Sequence, residues 1–170
     1  RIIHTTADFQ FADITIINDG ALDKAKEAIK AGKNIYTDTK MALSGINKKR
    51  LAEYGGEVMN FVSDDDVALR AKEEGVTRSI VAMRKAVEIN PDGIFVIGNA
   101  PTALFELLRL VDEGKANPAL VVGVPVGFVG AAESKEELLK YKDLSFILTR
   151  GRKGGSNVAA AIINAIMYSI

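Results

Sequence analysis

The stretch GRKGGS, residues 151–156, combines residue types that bind anions. Arg152 and Lys153 are cationic, and the glycine pair after them lets a ligand approach the backbone closely. An arginine can fork onto a carboxylate or a phosphate, and a helix that begins at such a turn presents free N–H groups to the same ligand. The spacing of a P-loop is absent. From these residues alone, the alternative of a basic surface turn with Ser156 as helix cap stays open.

His4 is the one histidine of the chain and lies in RIIHTTADF, residues 1–9. Imidazole is the side-chain group whose unperturbed pKa lies nearest to neutral pH. The chain has no cysteine. If the protein transfers a proton near pH 7 by a group without a large pKa shift, His4 is therefore the first candidate. The alternative is a structural or simply exposed histidine, and the residues alone leave it open.

Other polar and glycine-rich stretches offer contacts rather than proton chemistry. GNAPTAL (98–104) lacks the spacing of a dinucleotide fingerprint and favours a tight turn into a helix. GVPVGFVGAAES (123–134) predicts either close approach of a flat ligand to the backbone or tight packing of strand on helix. Arg78 is either a second anion clamp or a solvated helix charge. The three acids at 64–66 favour a capped, solvated helix start over a cation site.

The composition argues against several classes of protein. Acidic and basic residues balance at 22 each, which gives no general field for a nucleic-acid partner. The absence of cysteine excludes disulfides and thiolate metal sites, and no His, Asp or Glu spacing is convincing for a metal. No apolar run reaches the roughly 20 residues that a transmembrane helix needs. We therefore expect a cytoplasmic protein without membrane association, and a chain that opens on Arg1 suggests that further residues precede it.

Helical and strand-like patterns alternate along the chain. We predict helices at 21–32, 47–56, 77–90, 100–114, 133–142 and 156–170, and one more that begins at Ser63 or Asp64. Asn47 and Thr77 are the predicted caps of their helices. We predict five strands at 34–39, 57–62, 93–99, 119–126 and 144–149. This alternation predicts one three-layer α/β/α domain over 1–170 with a Rossmann-like, mostly parallel sheet. Ligands of such sheets bind beyond the carboxyl ends of the strands, where the polar and glycine-rich stretches fall.

Six stretches closely resemble the precorrin-8X methylmutase family, whose members are also called cobalt-precorrin-8 methylmutases. In chain order they are RIIHTTADF, TDTKMALSGI, GVTRSIVAM, VIGNAPTAL, PALVVGVPVGFVGAAESKEEL and GRKGGSNVAAAIINAI. The resemblance runs from residue 1 to residue 166 and covers almost the whole chain. Family members carry a further segment before the histidine motif, whose contacts would be missing here.

The resemblance implies an isomerase of vitamin B12 biosynthesis that moves a methyl group from C11 to C12 of a tetrapyrrole. Precorrin-8X would give hydrogenobyrinate, and cobalt-precorrin-8 would give cobyrinate. The catalytic histidine of the family falls on His4, which would donate a proton to the macrocycle. The resemblance implies no redox cofactor and no methyl donor. It also implies a homodimer that holds its small-molecule substrate near the subunit interface.

Such a substrate explains what the GRKGGS stretch would bind, because a part-apolar ring that carries several carboxylates needs apolar loops and cations together. We predict substrate contacts at strand ends and helix starts: Thr5, Asp38, Thr39, Arg78, Asn99, Pro101, Thr102, Gly127, Glu133, Ser134, Arg152, Lys153, Gly154, Gly155 and Ser156. Two alternatives stay open. One is a nucleotide- or phosphometabolite-binding enzyme that uses GRKGGS as its anion loop, and the other is a corrinoid-binding protein without turnover.

Overall fold

One six-stranded sheet organises the computed structural model, which describes residues 1–170. Its strands are β1 Thr15–Ile17, β2 Ile35–Thr37, β3 Val58–Met59, β4 Ile94–Ile97, β5 Leu120–Gly123 and β6 Phe146–Thr149. They lie in the order β1-β6-β5-β4-β2-β3. Neighbouring strands are parallel except for β1 and β6, which are antiparallel.

Ten helices connect and cover these strands. They are α1 Ile2–Thr6, α2 Phe11–Ile14, α3 Ala21–Lys30, α4 Lys40–Gly45, α5 Lys48–Ala52, α6 Asp65–Glu74, α7 Arg78–Ile89, α8 Pro101–Asp112, α9 Ala131–Leu138 and α10 Ser156–Tyr168. None of them combines the length and the apolar character that crossing a membrane requires.

The two faces of the sheet are buried under separate groups of helices. On one face, α6 to α9 pack around Phe95, Leu104 and Leu138. On the other face, α3 and α10 pack around Val96 and Ile163. Every residue of β4, β5 and β6 is buried, which explains why their sequences are almost continuously apolar. The alternating sequence pattern predicts this three-layer α/β/α arrangement, and the structure confirms it.

The predicted helices and strands are all present, with ends that differ by a few residues. Two predicted helix caps are confirmed, because the side chains of Asn47 and Thr77 each accept the backbone N–H three residues ahead. Asp64 occupies the N-cap of α6, but its carboxylate accepts a hydrogen bond from Lys85 at 2.8 Å instead of capping the helix.

The sheet has one strand more than the sequence predicts. The additional strand, β1, has three residues and pairs with β6 from Thr15 opposite Thr149 to Ile17 opposite Ile147. A run of three residues shows too little alternation to be recognised, and its extended form depends on edge pairing with a distant strand. The short helices α1, α2 and α4 were also not predicted.

The direction of winding reverses between β2 and β4. β3 lies beyond β2 on one side, whereas β5 and β6 follow β4 on the other side. In open α/β sheets, the carboxyl ends of the strands at such a reversal border the usual ligand crevice. α4 begins just after β2, and α8 begins just after β4, so both helix starts lie at this crevice.

Candidate active site

The crevice between β2 and β4 is occupied by a carboxylate of the chain itself. Asp38 is 2% exposed, and its two oxygens accept three backbone N–H groups, from Gly98 at 2.9 Å, Asn99 at 2.8 Å and Ala100 at 2.7 Å. Burial raises the pKa of Asp38 above its ordinary value, although the three N–H groups favour the charged form and partly oppose this shift. These donors are the ones that a phosphate would use at the start of α8. The crevice is therefore closed to an external anion.

A groove of about 660 Å³ lies at the neighbouring end of the molecule, between α1, α4 and α10. Its lining includes His4 and Thr5 from α1, Met41 and Ser44 from α4, and Asn157 and Tyr168 from α10. His4 is exposed, and no side chain of the protein pairs with its imidazole. The ring is therefore accessible to a ligand in the groove.

Short contacts hold the α4 and α10 walls of this groove together. The hydroxyls of Thr39 and Ser156 lie 2.7 Å apart at the two helix starts, so Ser156 does not act as the cap of α10. Asn164 donates to the carbonyl of Gly45 at 2.8 Å. A side chain at Gly45 would place its Cβ 2.8 Å from that of Ala160, so the close approach of α4 to α10 requires glycine. These contacts make the groove a feature of the packed fold.

The backbone of the cationic turn, residues 150–155, is fixed from three sides. The Lys153 carbonyl accepts hydrogen bonds from the Lys135 ammonium at 2.9 Å and the Thr149 hydroxyl at 2.7 Å. Gly127 donates to the carbonyl of Arg152 at 3.1 Å. A side chain at Gly154 would collide with the carbonyl oxygen of Val124, the residue after β5. The turn is thus a preformed surface, with glycine where the backbone approaches β5.

The three cations of the turn have different environments. Arg152 has no carboxylate partner, and its guanidinium lies 5.6 Å from the centre of the Phe128 ring. Arg150 binds Glu136 at 2.9 Å. Lys153 forms an ion pair with Asp8, and the hydrogen bond from Lys153 lowers the pKa of Asp8 below its ordinary value. Because Asp8 follows α1 closely, this pair brings the turn and the His4 segment to one edge.

Exposed apolar side chains border the same edge. Phe128 is 84% exposed and Val129 is 89% exposed in the loop between β5 and α9, and Phe9 is 80% exposed after α1. Large apolar side chains in such positions mark binding surfaces when they lie together. Arg152 lies against Phe128, so apolar and cationic surface adjoin at this edge.

Several predicted contact residues lie elsewhere or point inward. Ser134 is buried, and its hydroxyl donates to the Ala131 carbonyl of its own helix at 3.0 Å. Arg78 lines a separate shallow groove with Leu69 and Lys72 of α6. Ser134 and Asp38 thus bond to backbone inside the fold, and Arg78 lies away from the His4 groove. A sequence pattern that marks only strand ends and helix starts does not distinguish these positions.

The remaining predicted residues lie at the carboxyl edge of the sheet without lining the His4 groove. Asn99, Thr102 and Glu133 are exposed, and the Thr102 hydroxyl lies 3.4 Å from that of Thr77. Pro101 packs beneath Gly130, where an added Cβ would lie 3.3 Å from the proline ring. Gly155 is buried and donates to the carbonyl at residue 124 at 2.9 Å.

Sequence reasoning missed other residues of this edge. Met41, Ser44 and Tyr168 line the groove, but they belong to helices whose contact with α1 is not encoded by any local motif. Lys135 was not predicted as a buried residue of this edge, although its position in the sequence indicates burial. It lies on the same face of α9 as the buried Ala131 and Leu138, four residues before it and three after it.

The acidic side chains do not form a metal site. No group of three or more His, Cys, Asp or Glu side chains is placed to hold a metal ion. Asp64 and Asp66, two of the consecutive acids, both bind Lys85 at 2.8 Å. The arrangement at this end of α6 is an ion-paired helix start.

Comparisons with known proteins agree on one family. The family model for precorrin-8X methylmutase matches residues 1–169. The cobalt-precorrin-8 methylmutase of Priestia megaterium is 49% identical over 98% of this chain and 73% of its own. That of Salmonella typhimurium is 51% identical over 100% of this chain and 79% of its own. The solved structure of precorrin-8X methyl mutase from Thermus thermophilus matches with a TM-score of 0.89 at 37% identity, covering 98% of this chain and 81% of that one.

Proposed function

This chain belongs to the precorrin-8X methylmutase family, and we propose that its substrate binds across the His4 groove and the adjoining cationic turn. The chain is an isomerase of corrin biosynthesis. In the proposed reaction, a methyl group moves from C11 to C12 of precorrin-8X or cobalt-precorrin-8, to give hydrogenobyrinate or cobyrinate. The observation that carries the proposal is the exposed, unpaired imidazole of His4 at the edge that also bears Arg152.

The shape and charge of this edge suit a macrocycle with carboxylates on its periphery. The exposed Phe128 and Val129 offer apolar surface for a flat ring. Arg152 has no carboxylate partner of its own, and Lys153 is half exposed. Both can therefore bind substrate carboxylates through charge-assisted hydrogen bonds. Thr5 supplies a hydroxyl in the same groove as the imidazole, and the Ser156 hydroxyl lies against Thr39 at the start of α10.

His4 would act by giving a proton, or a hydrogen bond, to a ring nitrogen or a conjugated carbon. Positive charge on the π system would ease migration of the methyl group between adjacent carbons. The shift is intramolecular, so no methyl donor is consumed and the proton returns to the imidazole at the end. Proton transfer of this kind contributes about 10²–10⁴-fold to a rate, and fixed positioning in the groove adds to it.

The closed crevice at Asp38 argues against the nucleotide-binding alternative. In doubly wound sheets, phosphate binds at the helix start beside the winding reversal. Here the N–H groups of that helix start already bind Asp38. The corrinoid-binding alternative uses the same edge as the methylmutase and differs only in having no turnover.

The active assembly in our proposal is a homodimer that works in the cytoplasm. Phe128 and Val129 are large apolar side chains that the chain itself leaves exposed. A second subunit over this edge would close the substrate site and exclude water from it. Sedimentation of the purified protein tests this assembly directly.

The test of the function uses the colour of the corrin. Wild-type protein mixed with hydrogenobyrinate should retain the pigment through gel filtration and shift its visible spectrum. The His4→Ala variant should also retain it but should isomerise precorrin-8X about 10²–10⁴-fold more slowly. His4→Gln is the matched control, because it keeps a hydrogen-bond donor but cannot transfer a proton. Unchanged turnover in His4→Ala, or no pigment on the wild type, contradicts the proposal.

A further inference from the structure

Lys135 is a buried lysine without a carboxylate partner. Its side chain is 0% exposed on the inner face of α9, and its ammonium makes one hydrogen bond, to the carbonyl of Lys153 at 2.9 Å. Every other fully buried large side chain of the protein is apolar or aromatic. Burial disfavours the charged form and lowers the pKa of Lys135 to about 8. The ammonium is still protonated at neutral pH, and its burial reduces the free energy of unfolding.

Stability alone does not explain a lysine at this position. The neighbouring face of α9 is apolar, with Ala131 and Leu138 buried beside it. Methionine has a similar length and would fill this place without burying a charge. What lysine adds is a donor for the carbonyl of Lys153.

That carbonyl determines how the cationic turn presents its backbone. Lys135 and Thr149 both donate to the Lys153 carbonyl and hold it toward the interior. In a trans peptide the following N–H points in the opposite direction, and no peptide of the chain is cis. The N–H of Gly154 therefore points outward, and it has no acceptor within the chain.

A second outward N–H arises in the same way. The carbonyl of Arg152 is held by the N–H of Gly127 at 3.1 Å, and the N–H of Lys153 on the other side of that peptide also has no acceptor. Two consecutive N–H groups without an acceptor in the chain are therefore available to an anion beside the cationic side chains of Arg152 and Lys153.

We propose that Lys135 is a positioning residue for one carboxylate of the substrate. It holds the Lys153 peptide so that the N–H groups of Lys153 and Gly154 face that carboxylate. This inference rests on the proposed function, because it assigns a role in the same substrate site. Lys135 itself does not touch the substrate, and its effect is on binding rather than on the methyl shift.

The test variant is Lys135→Met, which keeps the length of the side chain and removes the donor. We expect KM for precorrin-8X to rise about tenfold, the equivalent of one hydrogen bond to a charged group. We expect kcat to change by less than about threefold, since His4 is untouched. Thermal stability at pH 7 should be equal to or greater than that of the wild type, because a buried charge is removed.

Two further variants keep the test sharp. Lys140→Met removes an exposed lysine just beyond α9, which pairs with Glu137, and should leave KM unchanged. Thr149→Val removes the other donor to the same carbonyl without loss of volume and should raise KM about threefold. If Lys135→Met does not fold, Thr149→Val replaces it as the test variant. Its KM and the change in the amide chemical shift of Gly154 in its NMR spectrum then test the role of the Lys153 carbonyl.

The outcomes separate this inference from the proposed function. The positioning role is overturned if KM is unchanged in Lys135→Met, or if kcat falls in proportion to a loss of stability. In either case, turnover by the wild type still supports the proposed function. A wild type that neither retains pigment nor isomerises precorrin-8X overturns both. A raised KM with kcat and stability preserved supports the role of Lys135.

Discussion

Two cationic regions of this protein differ in whether all of their arginines are paired with carboxylates. The outer cluster, formed by Arg84, Glu106, Arg109 and Glu113 on α7, α8 and the residue after it, pairs each guanidinium with carboxylates. The cationic turn at the carboxyl edge contains Arg152, which no carboxylate pairs. The difference teaches that pairing, not the number of cations, distinguishes a stabilising cluster from a binding site.

The pKa shifts within the outer cluster follow from this mutual pairing. Glu106 is 7% exposed and accepts hydrogen bonds from both Arg84 and Arg109. Burial pushes its pKa upward, but the two arginines outweigh burial, so the pKa lies below its ordinary value. The hydrogen bond to Glu106 likewise raises the pKa of Arg109. These charged groups pair with one another, so the outer cluster offers little unpaired charge to a ligand.

The largest expected effect comes from breaking the outer cluster. Glu106→Gln should lower the free energy of unfolding by about 3 kcal/mol at pH 7, since it leaves two guanidinium groups without their shared buried carboxylate. It should leave KM for precorrin-8X unchanged. Urea denaturation measures the loss, and steady-state kinetics measures KM.

Acid provides the control for this prediction. Because the folded pKa of Glu106 is lowered, its contribution is complete above the unfolded value of 4.5 and is lost as pH falls through the folded value. The two proteins should therefore converge in stability at low pH. A raised KM in Glu106→Gln, or no loss of stability, would break the distinction between the two regions.

A smaller effect should appear at alkaline pH, where Lys135 loses its proton. Its pKa is about 8 in the folded chain and 10.5 in the unfolded chain. Between these values the unfolded chain binds one more proton, so the free energy of unfolding rises with pH. We expect a gain of about 2 kcal/mol between pH 8 and 10.5, allowing for solvent screening. Lys135→Met should lack this gain in parallel denaturation series, and a gain of equal size in both proteins would contradict the assignment.

The smallest effect sharpens the comparison by charge screening. Arg152→Ala should weaken hydrogenobyrinate binding about fivefold at low salt and less at high salt, because salt already screens an exposed cation from a carboxylate. Arg109→Ala, its counterpart in the outer cluster, should not alter binding at either salt. Fluorescence or visible titration at two ionic strengths measures both. Equal losses for Arg152→Ala at both salts would indicate a structural role for Arg152.

Local sequence patterns predicted the repeated units of the fold but not its edges. The apolar runs of β4, β5 and β6 and the caps Asn47 and Thr77 are local signals, and each appears as predicted. β1 was missed because it becomes a strand only by pairing with β6, more than 120 residues away.

Local sequence patterns also predicted only part of the candidate active site. The sequence identified His4 and the cationic turn separately, but their meeting depends on an ion pair between Lys153 and Asp8, 145 residues apart. Asp38 was predicted as a substrate contact because it ends a strand, and only the folded chain shows its oxygens turned toward three N–H groups some 60 residues ahead. Pairing across the sheet is a tertiary property, so local patterns cannot reveal it.

The most direct test of the central claim is a crystal structure of the protein with hydrogenobyrinate bound. We expect the corrin ring across the groove, with the His4 imidazole within about 3.5 Å of the ring near C11 or C12, and a peripheral carboxylate on Arg152 or the N–H of Gly154. A ring bound on another face, with His4 in solvent and the cationic turn unoccupied, would contradict the account.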